Sequence, residues 1–193
     1  MATGFKVVKA GVLSLLQDAG RFGHHTIGLT TGGPLDPVAF HWANRLCGNS
    51  NDATALEVTV GGLELEAQTD TLLAVCGAPV PLKIDGVEQE CWRSHRVKAG
   101  CQVQLGFAPT ATRAYLAVAG GFLVAPQFGS TATVCREGLG GLAGEALRAG
   151  DWLPCNFDDS RSCLRLAETW RPVYRDTVSC RVVLGYQQAA FSR

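Results

Sequence analysis

Strand-like alternation interrupted by glycine is what most limits this chain. In ALEVTV, Leu56, Val58 and Val60 share one face of an extended run, and Glu57 and Thr59 share the other. Gly61-Gly62 follows, and LELEA resumes the alternation with Leu63 and Leu65. Two such runs joined by Gly-Gly predict a β-hairpin, because its favoured turns need positive φ at the loop positions. VPLKI and VEQE, flanking Asp85-Gly86, predict a second hairpin. CQVQLGF, RAYLAVAGG and VSCRVVLG add alternating runs. With 23 Gly in 193 residues, turns come at short intervals. The pattern predicts a mainly β fold, a barrel or a sandwich.

One stretch differs. In PLDPVAFHWANRLCGN, Asp36 stands at an N-cap, Pro37 at the first helical position and Gly48 just past the end. Ala39, Ala43 and Leu46 recur at helical spacing, so a helix of about three turns is expected over residues 37–47. From about residue 156 the chain gains charge and loses glycine. All Lys precede position 99, and the later basic residues are Arg. A domain over 1–155, a connector over 156–177 and the opening of a further unit over 178–193 are expected.

Composition removes several classes. Lys+Arg and Asp+Glu are 17 each, so the net charge is zero and a nucleic-acid partner is not expected. No basic start followed by an apolar stretch marks a secretory leader, and the apolar run at 72–80 is broken by Gly77 and Pro79. A cytoplasmic protein without a membrane partner is expected. The eight cysteines contain no C-x-x-C pair. They are expected to be free thiols, with no metal site. No P-loop, G-x-S-x-G elbow or H-E-x-x-H is present. The only Met is Met1, so the Lys between methionines that biotin attachment needs is missing.

A polar, glycine-rich block remains near the N-terminus. Gln17, Asp18, Gly20, Arg21 and Gly23 precede the 28–33 loop, which runs into the Asp36 helix. Glycine-rich backbone before a helix can present N–H donors to an anion or carbonyl. Asp18 and Arg21 can orient or polarise a carbonyl or carboxylate, although Asp-x-Gly is also ordinary turn chemistry. These residues and the 28–33 loop are expected around one concave pocket. Glu57 is expected on a solvated outer face, with a barrel-mouth carboxylate as the alternative.

The ordered series QDAGRFG, GGPLDPVAFHWANRLCGN, ALEVTVGGLELEA, CGAP, RAYLAVAGGF and FGSTATVCREGLGGLAGEALRAGDWLP resembles the biotin-dependent carboxyltransferase-like family. That family is also called allophanate hydrolase subunit 2, and it includes KipA proteins and the C subunit of prokaryotic 5-oxoprolinase. The resemblance spans about residues 5–155, and VVLGYQQAAF looks like the opening of the family's second half. It implies cyclophilin-like β-barrel modules and a subunit contributing to ATP-dependent hydrolysis of 5-oxoproline to glutamate. It implies the KipI-like B subunit and the A subunit of 5-oxoprolinase as partners, a small amide substrate, and ATP bound somewhere in the complex, the subunit that holds it not being readable from this sequence. Asp18 and Arg21 are the implied catalytic residues, and Gln17, Gly32, Gly33, Asp36, Asn44 and Glu57 the implied substrate-binding ones. The alternatives it leaves open are biotin-dependent carboxyl transfer to urea or an amide, with biotin on another chain, and a KipA-like regulator that binds a kinase inhibitor. Two positions depart from the family pattern: Ala132 stands where a hydroxyl residue is common, and Glu145 where an Arg is usual.

Overall fold

The computed structural model describes residues 3–156, 158, 160–175 and 177–191. Among them, antiparallel strands form two sheets. The first has the order β11 (Trp152–Pro154), β1 (Gly4–Ala10), β4 (Leu63–Ala67), β9 (Gln102–Leu105), β6 (Leu82–Ile84), β7 (Val87–Gln89). The second has the order β2 (Leu13–Gln17), β3 (Ala55–Thr59), β10 (Arg113–Val118), β5 (Thr71–Gly77), β8 (Ser94–Val97). The mainly β expectation holds. The barrel takes the form of two sheets whose ladders do not close into a ring.

Period-two alternation decides which residues meet. Leu56 and Val58 of β3, Leu73 and Val75 of β5, and Leu116 and Val118 of β10 face a core shared with Phe5, Val7, Leu63, Leu65, Val103 and Leu105 of the other sheet. The intervening residues Ala55, Ala74, Cys76, Tyr115 and Ala117 form a second cluster with Ala39, Phe40, Ala43 and Leu46 of helix α1 (Pro37–Leu46). Alanines at most of these positions let the helix lie close against the sheet. β3 and β5 are therefore buried on both faces.

The helix ends where its caps place them. The Asp36 carboxylate accepts the Ala39 N–H at 3.0 Å, and Gly48 takes the left-handed conformation at φ 69° just beyond Cys47. The Asp85-Gly86 hairpin also forms, with both turn residues at positive φ and Ile84 opposite Val87.

The Gly61-Gly62 hairpin does not form. β3 pairs with β2 and β10, whereas β4 pairs with β1 and β9 in the other sheet. The glycines carry the chain between sheets. Gly61 has φ 127°, and a Cβ there would lie 2.1 Å from the Gly106 carbonyl oxygen. Gly11, at the matching step from β1 to β2, would place a Cβ 2.5 Å from the Gly61 oxygen. The glycine signal marks two backbones crossing closely rather than a tight reversal.

The connector is stitched to the edge of β8. Ser94 N–H bonds the Leu164 carbonyl at 2.8 Å, Leu166 N–H bonds the Trp92 carbonyl at 2.9 Å, and Leu166 joins the helix-side cluster. The VSCRVVLG run, expected as a strand, is irregular and exposed over 178–185, with no ladder partner among the described residues. Alternation alone does not make a strand when no edge is available to satisfy its backbone. Residues 192–193 of the expected final unit lie outside the described residues.

Candidate functional site

The loop at 28–36 is the spine of the site, and four separate elements hold it. The Thr30 hydroxyl and N–H both donate to Glu137, and these bonds, with Arg136, hold the Glu137 carboxyl below its usual range. Gly33 N–H donates to Gln17 Oε1 at 3.1 Å. Leu35 N–H donates to Glu57 Oε2 at 2.8 Å, and Asp36 N–H to the Tyr115 hydroxyl at 2.7 Å.

Asp18 and Arg21 each bond the 127–133 segment rather than one another. Asp18 accepts Gly20 N–H at 2.9 Å, the Ser130 hydroxyl at 2.6 Å and Thr131 N–H at 2.6 Å. Arg21 is only 1% exposed. It donates through Nη2 to the Ala132 carbonyl at 2.8 Å and through Nε to the Gln127 carbonyl at 3.4 Å. Its Nη1 has no partner among the described residues. A Cβ on Gly32 would sit 3.5 Å from that nitrogen and 3.2 Å from the Ala132 methyl, so glycine lets the loop rest directly on this knot. Gln17 closes it by donating to the Thr133 carbonyl at 3.1 Å. An open concavity of about 570 Å³ is lined by His25 and residues 28–33, including Gly32 and Gly33. Gln17, Asp18 and Arg21 do not line it, contrary to the single shared pocket expected; they lie behind its wall.

A second cavity, of about 400 Å³, opens beside the start of α1. Leu35, Asp36, Arg113, Tyr174 and Arg175 are in its wall. Behind them, Glu57 accepts the Tyr115 hydroxyl at 2.6 Å on the same oxygen that takes Leu35 N–H. Its other oxygen stands 3.4 Å from Arg113 Nε. That is ion-pair range, but the geometry is off line for a hydrogen bond and Nε is left without one. Glu57 is 6% exposed, so the solvated outer-face expectation fails: the face is the outer one, but α1 covers it. Burial, reinforced by the bond to Glu57, pushes the Tyr115 phenol well above its usual range. Tyr174 is pushed up in the same way by burial and by its 2.6 Å bond to Asp36 Oδ2. The outcome is a pocket with one carboxylate, two guanidinium side chains and a neutral phenol at its wall.

Asn44 is elsewhere. It is fully buried, donates to the Ala53 carbonyl at 2.9 Å and accepts from Asn49 at 3.0 Å. Asn49 in turn bonds the Val118 carbonyl and Gly120 N–H, so this pair ties the end of α1 to the end of β10. Glu145 is exposed and pairs with Arg148 at 2.5 Å, in neither cavity wall. The polar wall residues not expected from sequence include Arg113, Tyr174 and Arg175, together with Tyr115 behind them. Arg113 and Tyr115 sit at the start of a recognised strand motif, whereas nothing in the sequence singles out Tyr174.

Comparison with known proteins places this architecture. The carboxyltransferase domain family, subdomain A and B, matches residues 27–193. The chain is 40% identical over 151 residues to the 5-oxoprolinase C subunit of Escherichia coli (strain K12), covering 77% of this chain and 48% of that protein. It is 37% identical over 177 residues to a putative urea carboxylase of Emericella nidulans, covering 89% of this chain and 14% of that protein. The crystal structure of the Kluyveromyces lactis urea carboxylase superposes with a TM-score of 0.79 at 32% identity, covering 89% of this chain and 15% of that one. The chain therefore spans about half or less of the length of these relatives. By sequence and by fold, it belongs to the carboxyltransferase domain family, subdomain A and B.

Proposed function

We propose that this chain is the N-terminal part of a 5-oxoprolinase C subunit and contributes to ATP-dependent hydrolysis of 5-oxoproline to glutamate. The observation that carries this reading is the 40% identity to the Escherichia coli protein. A 34% identity to the corresponding Haemophilus influenzae protein supports it.

Opening a lactam adds water to the carbonyl carbon, breaks the C–N bond and delivers a proton to the departing nitrogen. The carbonyl oxygen gains negative charge on the way and needs fixed donors. The Arg113 wall is the donor-bearing surface here, because most N–H groups of the 28–36 loop are already bonded to the residues that hold it. Asp18, Arg21 and Gln17 hold the loop in place, a positioning role, and Asn44 secures the helix behind it. Glu57 fixes Leu35, Tyr115 and Arg113 relative to one another.

ATP is a co-substrate of the assembly in this reading. The 28–33 loop does not fit a triphosphate: it carries no Lys, and the guanidinium beneath it is buried, with two of its nitrogens bonded to backbone carbonyls. ATP is assigned to another part of the assembly, with the A and B subunits as partners in the cytoplasm. Among the described residues no helix is long and apolar enough to cross a membrane.

The 37% identity to a urea carboxylase favours a second reading, carboxyl transfer to urea or an amide with biotin carried on another chain. The test is 5-oxoproline-dependent ATP hydrolysis. It is assayed with this chain alone, with the A and B subunits added, and with those partners and a full-length C subunit. Activity is expected only in the last mixture. Robust activity from the chain alone would overturn the dependence on partners. Silence in every mixture, with urea-dependent turnover when a biotin carboxylase is supplied, would favour the second reading.

A further inference from the structure

We infer that Arg113 and Arg175 form a carboxylate-binding subsite in the cavity beside the start of α1, and that this subsite selects a carboxylate-bearing lactam over an uncharged urea. Both arginines are in the wall of the 400 Å³ cavity. Arg113 is under-committed. Its Nε has no hydrogen bond, its Nη1 makes one 3.4 Å contact to the neighbouring Thr112 carbonyl, and Glu57 stands 3.4 Å from Nε. Glu57 is itself drawn away, because the Tyr115 hydroxyl and Leu35 N–H both bind its other oxygen. Arg175 is exposed and has no ion-pair partner among the described residues. Guanidinium donors in this state call for an acceptor, and a carboxylate matches their fork.

The rest of the wall agrees. Asp36 carries the opposite charge, but its oxygens are occupied by Ala39 N–H and by the Tyr174 hydroxyl. It also lies at the positive end of α1, which offsets its charge. Leu35, Val173 and Val178 supply apolar surface for a small hydrocarbon ring. An uncharged urea offers the two cations only a neutral carbonyl acceptor, a weaker partner than a carboxylate, and has no hydrocarbon to set against this apolar wall. The choice of a lactam as ligand rests on the oxoprolinase reading; the affinity for carboxylate does not.

The test titrates the 193-residue chain with 5-oxoproline and with 2-pyrrolidinone, which is the same ring without the carboxyl group, by ligand-observed NMR. 5-Oxoproline should bind about tenfold or more tightly than 2-pyrrolidinone. Arg113→Gln and Arg175→Gln should each erase most of that difference. Arg113→Gln strands Glu57 and can cost folding, so the exposed Arg175→Gln keeps the test decisive. Equal binding of the two lactams, binding of neither, or unchanged discrimination in Arg175→Gln would overturn the subsite. Carboxylate-selective binding without 5-oxoproline turnover in the full assembly would sustain the subsite and sink the oxoprolinase reading. Turnover with KM unchanged in both variants would do the reverse.

Discussion

The two ends of the 28–36 loop are built on opposite principles. At the Asp18 end, most polar atoms are consumed: one carboxylate takes three donors and a buried guanidinium serves two carbonyls, with Arg21 Nη1 the nitrogen left over. At the Asp36 end, two arginines stand in a cavity wall, Arg113 with its buried Nε unbonded and Arg175 exposed to solvent. A saturated network in a low-dielectric interior fixes geometry and resists change. An unsaturated one facing solvent is where a ligand gains most. The loop is therefore rigidly held at one end so that the other can present a defined wall.

The sharpest way to break this contrast is Arg21→Ala. It leaves a cavity and strips two backbone carbonyls of a charged donor, so a loss of roughly 3 kcal/mol of stability is expected. A urea unfolding midpoint measures it. If stability is untouched while turnover in the assembled complex collapses, Arg21 acts on substrate and the contrast is wrong. Glu57→Gln should invert the pattern with a smaller stability effect, on the order of 1 kcal/mol, because Gln keeps an acceptor for Tyr115 and Leu35. Its main effect should be a several-fold rise in KM for 5-oxoproline, since Arg113 loses the anionic neighbour that orients it. A large stability loss with unchanged KM would make Glu57 purely structural.

The legibility of the molecule follows from the range of its interactions. The α1 boundaries are readable because caps are local: Asp36, Pro37 and Gly48 act within a few residues. The Asp85-Gly86 hairpin is readable for the same reason. Gly61-Gly62 misleads because its cause is non-local; the obstacle is the Gly106 backbone of another segment. Glu57 looks solvated in sequence because alternation identifies faces but not what covers them, and here a helix does. The polar block at 17–21 is visible as a cluster, but its partners lie more than a hundred positions away in chain order. No spacing rule reaches that far. Arg113 is hidden by standing at a strand end, where a charge is ordinary, and Tyr174 by lying in a connector.

Thiol reactivity sharpens the contrast at the connector. Cys135, Cys163 and Cys180 are exposed, whereas Cys47, Cys76 and Cys155 are buried. Burial raises the Cys155 thiol to about 11 and lifts Cys47 and Cys76 further. Cys91 lies in the cleft under the connector and is likewise raised to about 11 by burial. Iodoacetamide at pH 8, read by mass spectrometry, should label the three exposed thiols first. Rapid labelling of Cys91 would show that the connector lifts off the sheet and that the Arg175 wall is transient.

The smallest effect expected is a pH dependence at the edge where the connector is stitched on. His95 is on β8, opposite Leu73, one residue from the Ser94–Leu164 bond. Its Nε2 is 2.7 Å from the Glu90 carbonyl. Burial lowers its pKa, Arg93 adds to the lowering, and Glu90 opposes it. The folded protein thus binds a proton less readily at this ring than the unfolded chain does, whose His value is about 6.5. Where the unfolded state holds more protons, stability rises with pH. The contribution is complete above the unfolded value and is lost as pH falls toward the depressed folded one. Glu137 and Asp85, with lowered values, lose their contributions only below the ordinary carboxylate range, so the windows separate. Urea midpoints between pH 8 and pH 5 should fall slightly in the native sequence and less in His95→Gln. Parallel falls in the two proteins would remove His95 as the cause. A fall accompanied by Cys91 labelling, absent in His95→Gln, would mean that protonation loosens the connector edge before the sheets themselves.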